Sequence, residues 1–411
     1  MSTIRRVVVV GAGLAAHNLA EHLRRRDFDG EIVLLGDEDI APYDRPPLSK
    51  DQLWSDDEPT PRMLATPGAY QDLGIEVRTG CSANGVDTGR KVVTLVGGEE
   101  IRYDALVIAT GARARTLADA HDLDGVLTLR SWSDCLALRS ALKHQPRTVI
   151  VGAGLIGCEV AGHASSIGID VTLVEPQQTP LGAALGHTVG ERIGDLQRRA
   201  GSRTLHGISV AGVEGTGRVE TVRLTDGSTI PAELVLVAFG AAPAVGWLEG
   251  SGIEVSRGVV CDEHNRASAP DVYAIGDVAE ALQPRTGTHK VIEHWNNARE
   301  QAASVAASIV GCEPPKPSLP YFWTDQVGSK IQALGWLDPD ASVRTIEWDS
   351  PKPGAIHLFG SPERTTGAVS FNAAGRLMKL RSIIENNRPW AEAESSINGQ
   401  KAGTPAVPIS R

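Results

Sequence analysis

The hydrophobic pattern of this chain says the same thing twice. At Val7-Val8-Val9-Val10, and again at Thr148-Val149-Ile150-Val151, four consecutive β-branched residues run into a glycine-rich turn. An unbroken run of that kind predicts a strand covered on both faces in a parallel sheet. Helical spacing follows each turn. Leu14, Ala15, Leu19, Ala20 and Leu23 mark the first helix, and Val160, Ala161, Ala164 and Ile167 the second. Each half then supplies another apolar run, at 31–35 and at 171–175, and a later buried strand, at 105–109 and 234–240. Shorter strands are expected at 75–78 and 91–95, and a helix at 131–142. Residues 53–67 are polar and proline-spotted, which suits a surface excursion. A strand-turn-helix piece is expected at 269–279, with Asp277 at its turn. Residues 312–320 carry four prolines and read as a boundary. Beyond them the texture changes to short strands near 330–334, 342–346 and 366–371, then a closing helix at 376–385. Residues from about 395 onward lack apolar periodicity and are expected to be disordered.

The two turns carry chemistry. The first is Gly11-Ala12-Gly13-Leu14-Ala15-Ala16, and the second is Gly152-Ala153-Gly154-Leu155-Ile156-Gly157. In such a turn the first glycine permits the sharp bend and the second lets backbone approach a pyrophosphate. The third small residue, Ala16 or Gly157, lets the helix sit close on its strand. The exposed helix N-terminus favours phosphate. An acid at the end of the following strand is placed to hold a ribose hydroxyl. Asp37 and Glu38 both suit that position in the first copy. Glu175 suits it in the second, 23 positions after Gly152, and would repel a 2′-phosphate, favouring NADH over NADPH. Between these landmarks, the stiff segment Pro42-Tyr43-Asp44-Arg45-Pro46-Pro47-Leu48-Ser49-Lys50 offers two cations, Arg45 and Lys50.

Length and composition narrow the class. At roughly 150 residues per domain, 411 residues make two or three domains. The net charge of −10 argues against nucleic acid or an anionic membrane as partner. The five cysteines, Cys81, Cys135, Cys158, Cys261 and Cys312, are widely spaced with no C-x-x-C. Reduced thiols, no metal site and a cytoplasmic location follow as expectations. Cys158, next to Gly157, reads as a small residue of the core. The N-terminus shows no signal-peptide pattern, and no apolar run reaches 18 residues.

Taken together, the two turns, the Ala109-Thr110-Gly111-Ala112 strand end, Ile275-Gly276-Asp277, Glu293-His294-Trp295-Asn296-Asn297-Ala298 and Pro320-Tyr321-Phe322-Trp323-Thr324-Asp325-Gln326 resemble the flavoprotein reductases with two dinucleotide-binding domains. Within that group the chain is similar to the FAD-dependent NADH:ferredoxin reductases that serve bacterial cytochrome P450 and Rieske-type oxygenases. The resemblance implies an α/β fold of glutathione-reductase-like architecture, with two Rossmann-like domains and a C-terminal α+β domain. Residues 1–113 with 240–318 would bind FAD, 114–239 would bind NADH, 319–395 would form the third domain, and 396–411 a tail. It implies that Gly11, Gly13 and Ala15 face the FAD pyrophosphate, Asp37 the adenosine ribose and Ala83 the adenine. Arg45, Lys50, Arg130, Asp277 and Trp295 would line the rest of the flavin, with Asp277 at the ribityl chain and Lys50 near the isoalloxazine. Gly152, Gly154, Gly157 and Glu175 would hold NADH. Glu159 would meet the nicotinamide carboxamide and pair with Lys50, a pair whose role is either catalytic or that of an interdomain salt bridge. Trp323 would lie at the flavin rim as an electron-transfer candidate.

Two departures stand out. Ala16 replaces the family's usual glycine, and Gly182-Ala183-Ala184 stands where the family often shows an arginine, which would weaken one NADH contact. The implied partner is a [2Fe-2S] ferredoxin, with no nucleic acid or membrane, and the implied state is monomer or homodimer. The rival readings are a rubredoxin reductase, an NADH oxidase, and a redox-switched binding protein of the apoptosis-inducing-factor type. The absence of a cysteine from 42–50 and the acidic net charge weigh against the last two.

Overall fold

The computed structural model describes residues 4–120, 123–349 and 353–398. They form two compact units. The first takes residues up to Arg115, Thr128–Arg139 and Gly240–Ser318; the second takes Thr116–Leu127, Ser140–Phe239 and residues from Leu319 on.

The first unit is built on a five-stranded parallel sheet, in the order Val272–Ala274, Ala105–Ile108, Arg6–Val10, Glu31–Leu35, Ile75–Arg78. Side chains alternate along a strand, so the valine run serves two cores at once. Val7 and Val9 meet Leu19, Leu23, Ala302 and Val305 from the helices Leu14–Arg24 and Trp295–Ile309. Val8 and Val10 face the opposite layer, with Val93, Leu95 and Ile101 of a three-stranded antiparallel sheet. This double burial is why four β-branched residues stand in a row.

The second unit repeats the plan, in the order Arg203–His206, Val171–Glu175, Thr148–Val151, Leu234–Val237, Val126–Leu127, again parallel. It also holds a five-stranded antiparallel sheet, from Tyr321–Gln326 at one edge to Ser342–Trp348 at the other. One face of that sheet buries Leu334, Ile356, Leu358 and Ala368 under three short helices, Ala374–Lys379, Arg381–Glu385 and Trp390–Asn398.

Four expectations are corrected. The helix expected after Asp277 is a single 3₁₀ turn, Gly276–Val278, followed at once by the strand Ala279–Gln283. The helix expected at 376–385 is two helices meeting at Leu380. The tail expected from 396 is contradicted at its start: Trp390–Asn398 is helical, with Ala393 and Ile397, one turn apart, both buried. The remainder of that tail lies outside the described residues. Finally, Thr128–Arg139, assigned from sequence to 114–239, belongs with the first unit. Its anchor is Arg139, whose guanidinium donates to the carbonyls of Gln52, Leu53 and Asp57 at 3.3, 3.2 and 2.8 Å. Among the described residues, no helix is long and apolar enough to cross a membrane, and no group of three or more His, Cys, Asp or Glu side chains could hold a metal ion.

Candidate functional site

The two glycine turns divide their labour in the same way. Gly11 has φ +113°, and a Cβ there would lie 2.1 Å from the Ala109 carbonyl oxygen. Gly152 has φ +102°, and a Cβ there would lie 2.7 Å from the Ala238 oxygen. At Gly157 a Cβ would fall 2.0 Å from the Gly152 oxygen. The fold itself demands these three glycines. Gly13 is different, since a Cβ there meets no atom within 4 Å. At Gly154 the only neighbour is the Ala238 oxygen at 3.7 Å, an ordinary contact. These two glycines leave space open above a helix N-terminus, which the packing of the chain itself does not require. The first helical hydrogen bonds run from His17 N to Gly13 O and from Cys158 N to Gly154 O, both 3.0 Å. The N–H groups before them have no acceptor within their own helix, the arrangement that lets a helix N-terminus receive an anion. Ala15 lies beside the Gly13 turn and approaches Gly276, whose added Cβ would sit 3.3 Å from the Ala15 methyl.

Asp37 and Glu38 differ in their partners. Glu38 accepts from Arg45 Nη2 at 2.7 Å and Tyr43 Oη at 2.8 Å. Asp37 is more than half exposed, with Arg113 Nη2 at 3.9 Å. Glu38 is thus held by two donors, whereas Asp37 stays largely open to solvent. Arg45, by contrast, is spent inside the protein: besides Glu38 it donates to Tyr43 Oη (3.2 Å) and to the Arg130 carbonyl (2.6 Å). Burial lowers the Arg45 guanidinium, but its hydrogen-bonded and charged surroundings, the Glu38 carboxylate among them, leave it above its ordinary value. Burial pushes the Tyr43 phenol up, so it stays a neutral donor to Glu38 while accepting from Trp132 N at 2.9 Å.

This network leads to Asp277. Arg130 Nη2 meets Asp277 Oδ2 at 2.5 Å, and Arg130 Nε donates to the Ala112 carbonyl at 3.0 Å. The Arg130 backbone is held by a capping box. Asp134 accepts from Arg130 N and Ser131 N, and Ser131 Oγ accepts from Asp134 N. Gly276, at φ +76°, donates its N–H to Gln301 Oε1 at 2.7 Å, which fixes the turn that presents Asp277. Burial first, and then Asp277, raises the neighbouring Glu293 carboxyl; burial holds His294 down at about 4, hence neutral. Trp295 donates to Asp44 Oδ1 at 2.9 Å and carries Arg299 over its ring. Lys50 follows the 3₁₀ turn Pro46–Ser49 and donates to the Pro46 carbonyl at 3.3 Å. Ala83 opens the strand Ala83–Asp87, and a short link ties this region to the ribose end, Gly80 N donating to the Glu38 carbonyl. The first unit thus gathers Gly11, Gly13, Ala15, Asp37, Arg45, Lys50, Ala83, Arg130, Asp277 and Trp295.

The second unit gathers Gly152, Gly154, Gly157, Glu159, Glu175 and Trp323. Glu175 is buried and already bonded: its oxygens accept from Ala153 N at 2.7 Å and Gln177 N at 2.9 Å. It shapes the glycine turn in addition to any ribose it holds. Glu159, also buried, accepts from Thr324 Oγ1 at 2.6 Å and Asp325 N at 3.2 Å. Trp323 points to the other face of that strand, its ring 6.2 Å from that of Tyr321. Burial holds the Cys158 thiol well above its ordinary value, as befits a residue of the core. Reasoning from sequence passed over Tyr43, Gln301 and Thr324. Strand alternation through Phe322-Trp323-Thr324-Asp325-Gln326 was the available signal for Thr324.

Residues 5–302 match the family described as pyridine nucleotide-disulphide oxidoreductase, and residues 321–396 the reductase C-terminal family. The chain belongs to the pyridine nucleotide-disulphide oxidoreductases. This reductase is 38% identical to the benzene 1,2-dioxygenase system ferredoxin–NAD(+) reductase subunit of Pseudomonas putida, over 92% of this chain and 93% of the relative. It is 37% identical to a rubredoxin–NAD(+) reductase of the same organism, over 83% and 89%. The crystal structure of the covalent putidaredoxin reductase–putidaredoxin complex superposes with a TM-score of 0.88 at 29% identity, covering 97% of this chain and 99% of that one. The reductase uses FAD and NADH. The open cradles at Gly13 and Gly154 fit the two dinucleotides.

Proposed function

We infer that this reductase draws electrons from NADH and delivers them singly to a [2Fe-2S] ferredoxin that feeds an oxygenase. The observation that carries the reading is a pair of phosphate cradles on separate parallel sheets, in a chain matching ferredoxin–NAD(+) reductase components over nearly its whole length. FAD, when bound, supplies the conversion of a two-electron donor into single electrons. In our reading the first unit holds it. The Leu14–Arg24 N-terminus and Gly13 receive the pyrophosphate, Asp37 the ribose, and Asp277, oriented by Arg130, the ribityl hydroxyls. The second unit holds NADH at Gly154 and Glu175, and the carboxylate that shapes this turn disfavours a 2′-phosphate. Lys50 and Glu159 orient and tune the transfer, and Trp323 marks the electron exit. No side chain acts as nucleophile. Cys135, whose Sγ donates to the Leu48 carbonyl behind the Lys50 segment, is pushed up to about 11 by burial and stays a thiol.

Purified protein should carry FAD, reduce ferricyanide with NADH, and reduce cytochrome c only when a [2Fe-2S] ferredoxin is added. Protein without flavin, or cytochrome c reduction indifferent to ferredoxin, would overturn the reading. The similarity to a rubredoxin–NAD(+) reductase supports a second acceptor, and a faster rate with rubredoxin than with any of a panel of ferredoxins would make that the function. We place the protein in the cytoplasm as a monomer or homodimer, which sedimentation and fractionation test.

A further inference from the structure

A buried polar chain in the second unit reaches Glu159. Thr324 and Gln326 alternate with Trp323 and Asp325 along the edge strand Tyr321–Gln326, so both point to the same side. That side meets the helix Leu155–Ser166, which carries Glu159. Thr324, Gln326 and Gln197 are wholly buried. Gln197 Nε2 donates to the Cys158 carbonyl at 3.0 Å and lies 3.4 Å from Gln326 Oε1. Gln326 Nε2 lies 3.4 Å from Thr324 Oγ1, and the Thr324 hydroxyl donates to Glu159 Oε1 at 2.6 Å. Asp325 N donates to the same oxygen.

Two donors on one oxygen fix the plane of the carboxylate, because turning it would leave buried donors without an acceptor. Fixing Oε1 also fixes the direction of Oε2. A glutamate has three side-chain torsions, and solvent alone would not hold it in one orientation. We propose that Thr324 is a positioning residue for hydride transfer: its hydroxyl aims the Glu159 carboxylate at the nicotinamide carboxamide. The proposal rests on the reading of Glu159 as the group that meets the nicotinamide. It assigns a chemical task to the C-terminal sheet, whose edge strand holds a side chain of the nucleotide-binding half in register.

The test is anaerobic stopped-flow bleaching of bound FAD by NADH, read as a limiting rate and an apparent Kd. The variants are Thr324→Val, Thr324→Ser, Glu159→Gln and the double variant Thr324→Val/Glu159→Gln. The NAD+-induced difference spectrum of the flavin reports nucleotide seating independently of turnover. Removing a hydroxyl donor from a carboxylate should lower the limiting rate about 10- to 100-fold in Thr324→Val, with Kd within about threefold. Thr324→Ser, which keeps the donor, should stay within about twofold of the parent. In the Glu159→Gln background, Thr324→Val should add less than about a twofold effect, because the two residues act as one unit. An unchanged rate in Thr324→Val, a Thr324→Ser as slow as Thr324→Val, or full additivity in the double variant would overturn the positioning role. A Glu159→Gln protein with the parent's limiting rate would overturn the reading of Glu159 itself. Should Thr324→Val not accumulate as FAD-loaded protein, Thr324→Ala carries the same test.

Discussion

Two glycines in the opening turn should respond to alanine in opposite ways. At Gly11, alanine must adopt φ +113° and place a methyl 2.1 Å from the Ala109 carbonyl oxygen and 2.4 Å from its carbon. Left-handed strain costs about 1–3 kcal/mol, and forcing a methyl into rigid backbone adds about the same again. The sum, about 2–6 kcal/mol, is a large part of the stability of a typical domain. At Gly13 the backbone has φ −96°, which alanine adopts freely, and the methyl meets nothing within 4 Å. Reduced freedom of the unfolded chain stabilises by about 0.4–1 kcal/mol, while the poorer N-cap preference of alanine costs about the same. Net stability should not change. The methyl does occupy the space the pyrophosphate needs, and displacing one charge-assisted N–H contact is worth about 1.5–3 kcal/mol, or 10- to 100-fold in Kd. The assay pairs thermal unfolding of deflavinated protein with titration of FAD followed by flavin fluorescence. Gly11→Ala should lower the Tm of the apoprotein; Gly13→Ala should leave it in place and weaken FAD binding. Equal loss of Tm in both, or an unchanged FAD Kd in Gly13→Ala, would refute the division between glycines required by the fold and glycines required by the ligand. The second turn supplies the control: Gly157→Ala should destabilise, and Gly154→Ala should raise only the KM for NADH.

Glu175→Ala should do both kinds of damage, since Ala153 N and Gln177 N lose their acceptor as well as NADH its ribose partner. A fall in stability of about 2–4 kcal/mol is expected, together with a higher NADH KM and weaker discrimination against NADPH; an unchanged KM would make the acid purely structural. Arg139→Met should cost about 2–4 kcal/mol in urea unfolding, because three carbonyls lose their donor at a buried site. His357 is buried and held down at about 4, by burial first and Arg192 second, against Glu347. The unfolded chain then binds the extra proton between pH 6.5 and 4, so stability should be full above 6.5 and fall by up to about 3 kcal/mol as the pH drops through that window. His357→Phe should shrink this acid limb without abolishing it, since His294 is held down at about 4 as well, and an unaltered slope would refute the assignment.

Much of the site was written locally. A run such as Val7-Val8-Val9-Val10 is required wherever a strand is covered on both faces, and Gly11 and Gly152 are required by their positive φ. Sequence was therefore sufficient for both parallel sheets and both glycine turns. It also placed Asp277 at a turn, but extended that turn into a helix, because nothing local signals that Ala279–Gln283 pairs with two other strands. The short helix Trp390–Asn398 escaped for a related reason: its two buried anchors matter only against the sheet beneath them.

What sequence determined by itself was the backbone of the site: strands, turns, the positions of small residues and the acids near them. Tertiary structure alone decided which acid is bonded to which partner. Asp37 and Glu38 are adjacent and chemically alike, and only the folded loop that carries Tyr43 and Arg45 shows that Glu38 is held while Asp37 stays open to solvent. Glu159 is legible as a candidate, but its orientation comes from Thr324, 165 residues away. Backbone conformation is set by neighbours along the chain, so a linear pattern records it. A side chain's hydrogen-bond partner is set by whatever the fold brings within about 3 Å, and that information is absent until the sheets have closed around it.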